Sequence, residues 1–138
     1  MKVESKILNG NLLSKADVDH FRSLRKAHYV SGFKDEKADK HGVRRAEGFS
    51  KEIIEQLLRV DGCEGLAICY GAAPETEHKI DKEKGKNIMP RLLIVPVDAK
   101  GNHLTFDISI PGQKDGSGSY AGAGNGAPCP PERYCPQD

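Results

Sequence analysis

Three features of this chain predict an α+β fold: two helices packed on one face of a three-stranded antiparallel meander, followed by a Gly-rich C-terminal tail. Two segments in the first half carry apolar residues at helical spacing behind a serine cap. Three segments between residues 65 and 110 carry strand patterning and are separated by turn residues or loops. The helices come before the strands instead of alternating with them, which favours antiparallel pairing of consecutive strands over a parallel sheet. At 138 residues the chain fits one small domain.

Residues 1–12 are mixed, with Val3, Ile7, Leu8 and Leu12 as the apolar points of a strand or of a segment packed against one. Ser14 is placed to accept a first-turn backbone N–H. Leu13 and Val18 flank it with the spacing of a hydrophobic staple. Val18, Phe21 and Leu24 form a stripe, and Arg22, Arg25, Lys26 and His28 load the C-terminal half with positive charge that suits the helix dipole. The spacing predicts a helix over 15–29. Residues 33–47 mix both signs of charge without apolar periodicity and read as a loop or a frayed helix end. Ser50 caps the second helix, whose buried face is Ile53, Ile54, Leu57 and Leu58. Asp61-Gly62 stops it, with Gly62 suited to a left-handed backbone.

Leu66, Ile68 and Tyr70 alternate with Ala67 and Cys69, the period of a strand. The stretch from Ala72 to Met89 is rich in Lys and Glu and too long for a tight hairpin. Leu92 to Val95 is a continuous apolar run. Pro96, which has no N–H to donate, marks an edge or a bulge. Asp98-Ala99-Lys100-Gly101-Asn102 is turn chemistry, with Gly101 able to take a positive φ. Leu104, Phe106, Ile108 and Ile110 then alternate with polar residues. From Pro111 the composition changes, and six of the chain's 15 glycines fall in residues 111–126. Residues 1–110 therefore read as the small α+β domain and 111–138 as a Gly/Ser-rich tail.

Composition limits the function classes. Net charge is +1, with 13 Lys/Arg against 9 Asp/Glu in residues 1–60. That gives no clear basic face, so neither nucleic acid nor an anionic membrane is an expected partner. The basic run Lys34, Lys37, Lys40, Arg44 and Arg45 is diluted by Asp35, Glu36 and Asp39. No apolar run reaches the length of a signal peptide core or a membrane span. The default location is the cytoplasm, where thiols stay reduced.

The chemistry-bearing feature is Cys129-Pro130-Pro131-Glu132-Arg133-Tyr134-Cys135, which holds two of the four cysteines. Three states are open to it. Cys129 and Cys135 can close a disulfide loop stiffened by the two prolines. They can join Cys63 in a thiolate metal site, which makes zinc the one cofactor to consider. The spacing of five residues between paired ligands fits that poorly, though all four thiolates can converge from two distant segments, or His41, His78 or His103 can substitute. Or all four thiols are free, Cys69 and Cys63 being small buried hydrophobes. Cys63, His103 and Asp107 can be drawn as a nucleophilic set, but no local signature supports it. No catalytic residue is assigned. Gly122-Ala123-Gly124-Asn125-Gly126 lacks the strand and helix that would make it a phosphate loop. Tyr120, Pro130, Pro131 and Tyr134 offer extended backbone with aromatic handles, the chemistry of a docking segment.

Several stretches share a pattern: Phe49-Ser50-Lys51-Glu52-Ile53-Ile54-Glu55, Gly62-Cys63-Glu64-Gly65, Tyr70-Gly71, Val97-Asp98-Ala99-Lys100-Gly101-Asn102 and the Cys129 tail. Together they resemble an uncharacterised family of small bacterial, Bacteroidetes-type proteins that end in a Cys-Pro-Pro-x-Cys motif. Here three residues follow the proline pair instead of one, and the Ala72–Met89 loop is longer. The resemblance implies the two-helix, three-strand fold and a single shared role for Cys63, Cys129 and Cys135. It implies no activity. The expected role is a small accessory or structural interaction module with the tail as docking or redox element, through a protein partner or self-association. The alternative is a thiol-based metal or redox protein using Cys63, Cys129 and Cys135.

Overall fold

The structure, a computed structural model, describes residues 8–28, 32–40, 42–108 and 118–129. It is a mixed α+β chain. In order, its elements are α1 (Lys15–His28), α2 (Lys34–Ala38), β1 (Ala46–Gly48), α3 (Lys51–Leu58), β2 (Gly65–Thr76), β3 (Lys79–Ile80), β4 (Asn87–Val97), β5 (Phe106–Ile108), β6 (Gly118–Tyr120) and β7 (Ala127–Cys129). The strands form a three-stranded sheet in the order β3-β2-β4 and two pairs, β1-β7 and β5-β6. Two compact units share the chain. One takes residues 1–9, 49–71 and 91–126, and the other residues 10–48, 72–90 and 127–138.

In the first unit, α3 starts where the sequence places it. The Ser50 hydroxyl accepts the Ile53 N–H at 3.2 Å, and Gly62 ends the segment at φ +83. Leu57, Ile94 and Val97 are buried in this unit. After Val97 the Asp98 carboxylate accepts the N–H groups of Lys100 and Asn102, both at 2.9 Å, and Gly101 sits at φ +84. The expected third strand does not extend the meander. Leu104 donates to the Pro96 carbonyl and His103 bridges Val97, but β5 then pairs with β6 (Phe106↔Tyr120). The reason is occupancy of β4. The N–H and C=O of Ile94 are both taken by Ala123, each at 2.8 Å, so the edge a third strand would use is already filled.

That contact also changes the meaning of the glycines. A Cβ at Gly122 would lie 2.5 Å from the Ile94 carbonyl oxygen. Glycine is there for close backbone approach, not for looseness. Residues 118–129 are thus strand, bridge and strand rather than free spacer. The rest of the expected tail, 111–117 and 130–138, lies outside the described residues.

In the second unit, the Ser14 hydroxyl accepts the Asp17 N–H at 3.1 Å and starts α1 as expected. Its stripe is not packed on a sheet: Val18, Phe21 and Leu24 are 40%, 51% and 40% exposed. A third helix, α2, forms in the segment read as a loop or a frayed helix end. Its Asp35 carboxylate accepts the Ile88 N–H at 2.9 Å. The long connection after Ala72 proves to be mostly strand. β2 runs on to Thr76, turns through Glu77 and His78, and pairs with β3 (Glu75↔Ile80). The same hairpin continues one step outward, where the Asp81 N–H donates to the Pro74 carbonyl.

Candidate functional site

The site is built on the second unit, around Cys129. Among the described residues Cys129 is fully buried, at 0% exposure, and is held in a disulfide. Cys63 and Cys69 are free. β7 places Cys129 opposite Ala46 of β1, and the Arg45 N–H donates to the Cys129 carbonyl at 2.7 Å. β1 has only three residues, too few to hold a register alone. What fixes it is the residue before Arg45. The Arg44 guanidinium makes two parallel bonds to the Glu75 carboxylate, each 2.6 Å, and its Nη1 also reaches the Pro90 carbonyl at 3.3 Å. The Arg44 backbone N–H donates to Glu36 Oε1 at 2.8 Å. Arg44, Glu75 and Glu36 are all buried.

A charge taken out of water is tolerated only with a well-placed opposite charge. Burial works to lower the Arg44 pKa, but the hydrogen bond and charge of Glu75, with Asp39 and Glu47 adding, outweigh it and raise it above its ordinary value. The guanidinium therefore stays charged and the fork stays closed. Its planar geometry matches a carboxylate in two bonds at once, which a lysine would not do. Through Arg45 this fork sets where β1, and so Cys129, lies.

Beside the fork is an open cleft of about 200 Å³, lined by Asp39, Lys40, Glu77, His78, Asn87 and Met89. Glu77 and His78 both have positive φ, 50 and 67, the backbone of a tight hairpin turn in which Asn-Gly is the preferred pair. His78 Nδ1 stands 3.7 Å from Asp39 Oδ2, an ion pair when the imidazole is protonated. Among the described residues, no group of three or more His, Cys, Asp or Glu side chains is placed to hold a metal ion.

The sequence-predicted residues are scattered. Cys63 belongs to the first unit, where its thiol donates to the Gly65 carbonyl at 3.2 Å. Tyr120, also in that unit, stacks on Phe106 with ring centroids 6.0 Å apart. Pro130, Pro131, Tyr134 and Cys135 lie outside the described residues. His103 and Asp107 are exposed, and a disulfide sulfur is not a thiolate, so in this state Cys129 offers no metal ligand. Glu36, Arg44 and Glu75 were missed as site residues. No sequence signal pointed to Glu75: the apolar alternation of Leu66, Ile68 and Tyr70 marks the other face of β2, where Ile68 and Tyr70 are 63% and 96% exposed.

No protein-family model, no curated protein and no solved structure matches this chain. Among the described residues, no helix is long and apolar enough to cross a membrane.

Proposed function

We propose that this protein is a small interaction module, not an enzyme, and that its docking element is a loop from Cys129 to Cys135 closed by a disulfide between them. The observation that carries the reading is Cys129 itself: bonded, fully buried, and seated on a strand pair braced by a buried ion pair. Of the chain's four cysteines, Cys63 and Cys69 are free. Pro130 and Pro131 stiffen the loop, and Tyr134 supplies an aromatic anchor. Such pre-ordered extended segments bind grooves on other proteins at low entropic cost. The partner is a protein. Neither nucleic acid nor membrane is part of the reading.

The same bond makes the element redox-responsive. An external thiolate attacks one sulfur, forming a mixed disulfide and releasing the other cysteine as a thiolate. A second external thiol then resolves the mixed disulfide, leaving two protein thiols and one external disulfide. Reduction removes the loop constraint, worth about 2–3 kcal/mol for a short loop. In a reducing cytoplasm the open form prevails, and under oxidation the closed, docking form does.

The test replaces Tyr134 in the full chain with a photo-crosslinking benzoylphenylalanine and irradiates cells that make the protein after a thiol oxidant has closed the loop. Lys51, exposed on α3, carries the probe in a control. Discrete adducts at position 134 that vanish in the Cys129→Ser/Cys135→Ser variant, with its circular dichroism intact, are expected. Adducts indifferent to the cysteines, or none beyond the control, refute the docking reading. Peptide mapping without reduction that pairs Cys129 with any residue but Cys135 refutes the loop.

A further inference from the structure

Thiol exchange at a disulfide starts at one of its two sulfurs. The attacked sulfur keeps the incoming group and the other leaves as a thiolate, so access decides which cysteine carries the adduct. Access to the two sulfurs of this bond is unequal. Cys129 has 0% exposure, and Pro128 before it is buried as well. The Cys129 sulfur presents no surface to a solute.

The strand that carries Cys129 is not held in place by its sulfur. The Arg45 N–H donates to the Cys129 carbonyl at 2.7 Å. Ala127, Pro128 and Cys129 pair with Gly48, Glu47 and Ala46. The Arg44–Glu75 fork, two bonds of 2.6 Å, braces the other strand of the pair. None of these contacts uses the Cys129 side chain, so β7 keeps its seat when the disulfide opens. A reagent reaches the Cys129 sulfur only after the β1–β7 pair has opened, and that opening costs free energy. Exchange therefore has the Cys135 sulfur to start from. The unit of residues 10–48, 72–90 and 127–138 contains no cysteine besides Cys129 and Cys135, so Cys129 is the thiol of that unit left to complete the exchange.

We infer that Cys135 is an S-thiolation site, the sulfur that takes up a small thiol of the glutathione type, and that Cys129 is the buried resolving thiol that expels it. The inference rests on the Cys129–Cys135 bond proposed above and uses nothing of the docking role. In the closing direction the Cys135 thiolate attacks glutathione disulfide. A Cys135–glutathione bond forms, the glutathione S–S bond breaks, and one glutathione thiolate leaves. Cys129 then gives up its proton to the medium and attacks the Cys135 sulfur, and the second glutathione leaves as a thiolate. The protein dithiol has been oxidised and one external disulfide reduced to two thiols. Opening runs the same two steps backwards. An accessible cysteine beside a resolving one is the arrangement of reversible thiol modification.

An unreduced peptide map of the wild type reads the pairing first. Any bond from Cys129 other than to Cys135 overturns the proposed loop and this inference with it. With that bond found, the remaining steps test this inference alone. The full chain is reduced and given glutathione disulfide under native conditions, exchange is stopped with acid, and peptide mapping locates the adduct, which separates positions 129 and 135 from Cys63 and Cys69. Cys129→Ser and Cys135→Ser, with their fold checked by circular dichroism, present the two thiols one at a time. Position 135 in Cys129→Ser is expected to react about tenfold or more faster than position 129 in Cys135→Ser, because the latter waits for a strand pair to open. In denaturing urea the two rates should converge. The adduct at 135 should persist in Cys129→Ser and give way to the internal disulfide in the wild type. Equal rates in the folded variants, a faster reaction at 129, or no adduct at either position overturns the inference. A difference that survives urea unchanged refutes burial as its cause. A wild-type adduct as lasting as that of Cys129→Ser refutes the resolving role of Cys129.

Discussion

Replacing Glu75 by Gln should be among the most damaging single changes to this protein. The substitution keeps the volume and removes only the charge. It leaves the Arg44 guanidinium, 7% exposed, without the carboxylate, 3% exposed, that holds it in two bonds of 2.6 Å. Water cannot take over at that depth. Removing one member of such a pair costs about 3–5 kcal/mol, against a total stability of about 5–15 kcal/mol for a small domain. With a urea slope of about 1–3 kcal/mol/M, the unfolding midpoint should fall by roughly 1–5 M. The partner experiment is Arg44→Met/Glu75→Leu, which removes both charges. It should recover most of the loss, because apolar replacement of a buried pair is often neutral or better. Hydrogen exchange at the Arg45 amide, which donates to Cys129, should accelerate in Glu75→Gln. The pH dependence adds a sign check. Because the Arg44 pKa is raised in the folded state, its contribution is present at all pH values below the ordinary guanidinium range. It is lost only as strong alkali carries pH through the raised value. A cost for Glu75→Gln of about 1 kcal/mol or less, the worth of an exposed pair, would refute the argument that this fork positions β1.

Gly122→Ala should destabilise by about 1–3 kcal/mol through overpacking, since its Cβ would press on the Ile94 carbonyl at 2.5 Å. Faster exchange at the Ile94 and Ala123 amides is the local readout. Converting Glu77-His78 to Asn-Gly should raise the urea midpoint, because two non-glycine residues at positive φ cost about 1–3 kcal/mol each. A lower midpoint would mean the side chains contribute more than the strain. Asp98 is held below the usual carboxylate range by the Asn102 backbone N–H and then its side chain. Asp81 is held low by the N–H groups of Lys84 and then Glu83. A depressed carboxyl stabilises the fold above its unfolded pKa and loses that effect as pH falls through the folded one. Amide exchange at Asn102 and Lys84, corrected for its intrinsic pH dependence, should therefore lose protection only below the ordinary aspartate range.

The parts of the fold written locally were legible. Ser14 and Ser50 act as caps, Gly62 and Gly101 take positive φ, and the apolar run at 92–95 is strand. What failed to show was whatever depends on a distant partner. Glu36 and Arg44 look like solvent charges until Glu75, 31 positions after Arg44, is seen to share their interior. The glycines after residue 111 have the composition of a spacer, and only the Ile94 backbone beside Gly122 reveals the use of that one. The α1 stripe was legible as a helix face, but periodicity says that a face is apolar, not what covers it. At the site, the paired cysteines and prolines were visible. The bracing of Cys129 by β1 was not, because three residues carry no pattern.

The β1–β7 pairing also sets a timetable. Ala46 and its partner Cys129 are separated by roughly eighty residues, which the ribosome adds at about 5–20 per second. For roughly 4–16 s of every synthesis, Ala46–Gly48 has been made and the strand it will pair with does not yet exist. Arg44 and Glu75 can meet well before that interval ends. The nascent chain would then hold its charged interior closed around an open strand edge, the kind of surface on which another chain can template itself. How fast residue 129 arrives would decide whether that edge closes on its own chain or on a neighbour.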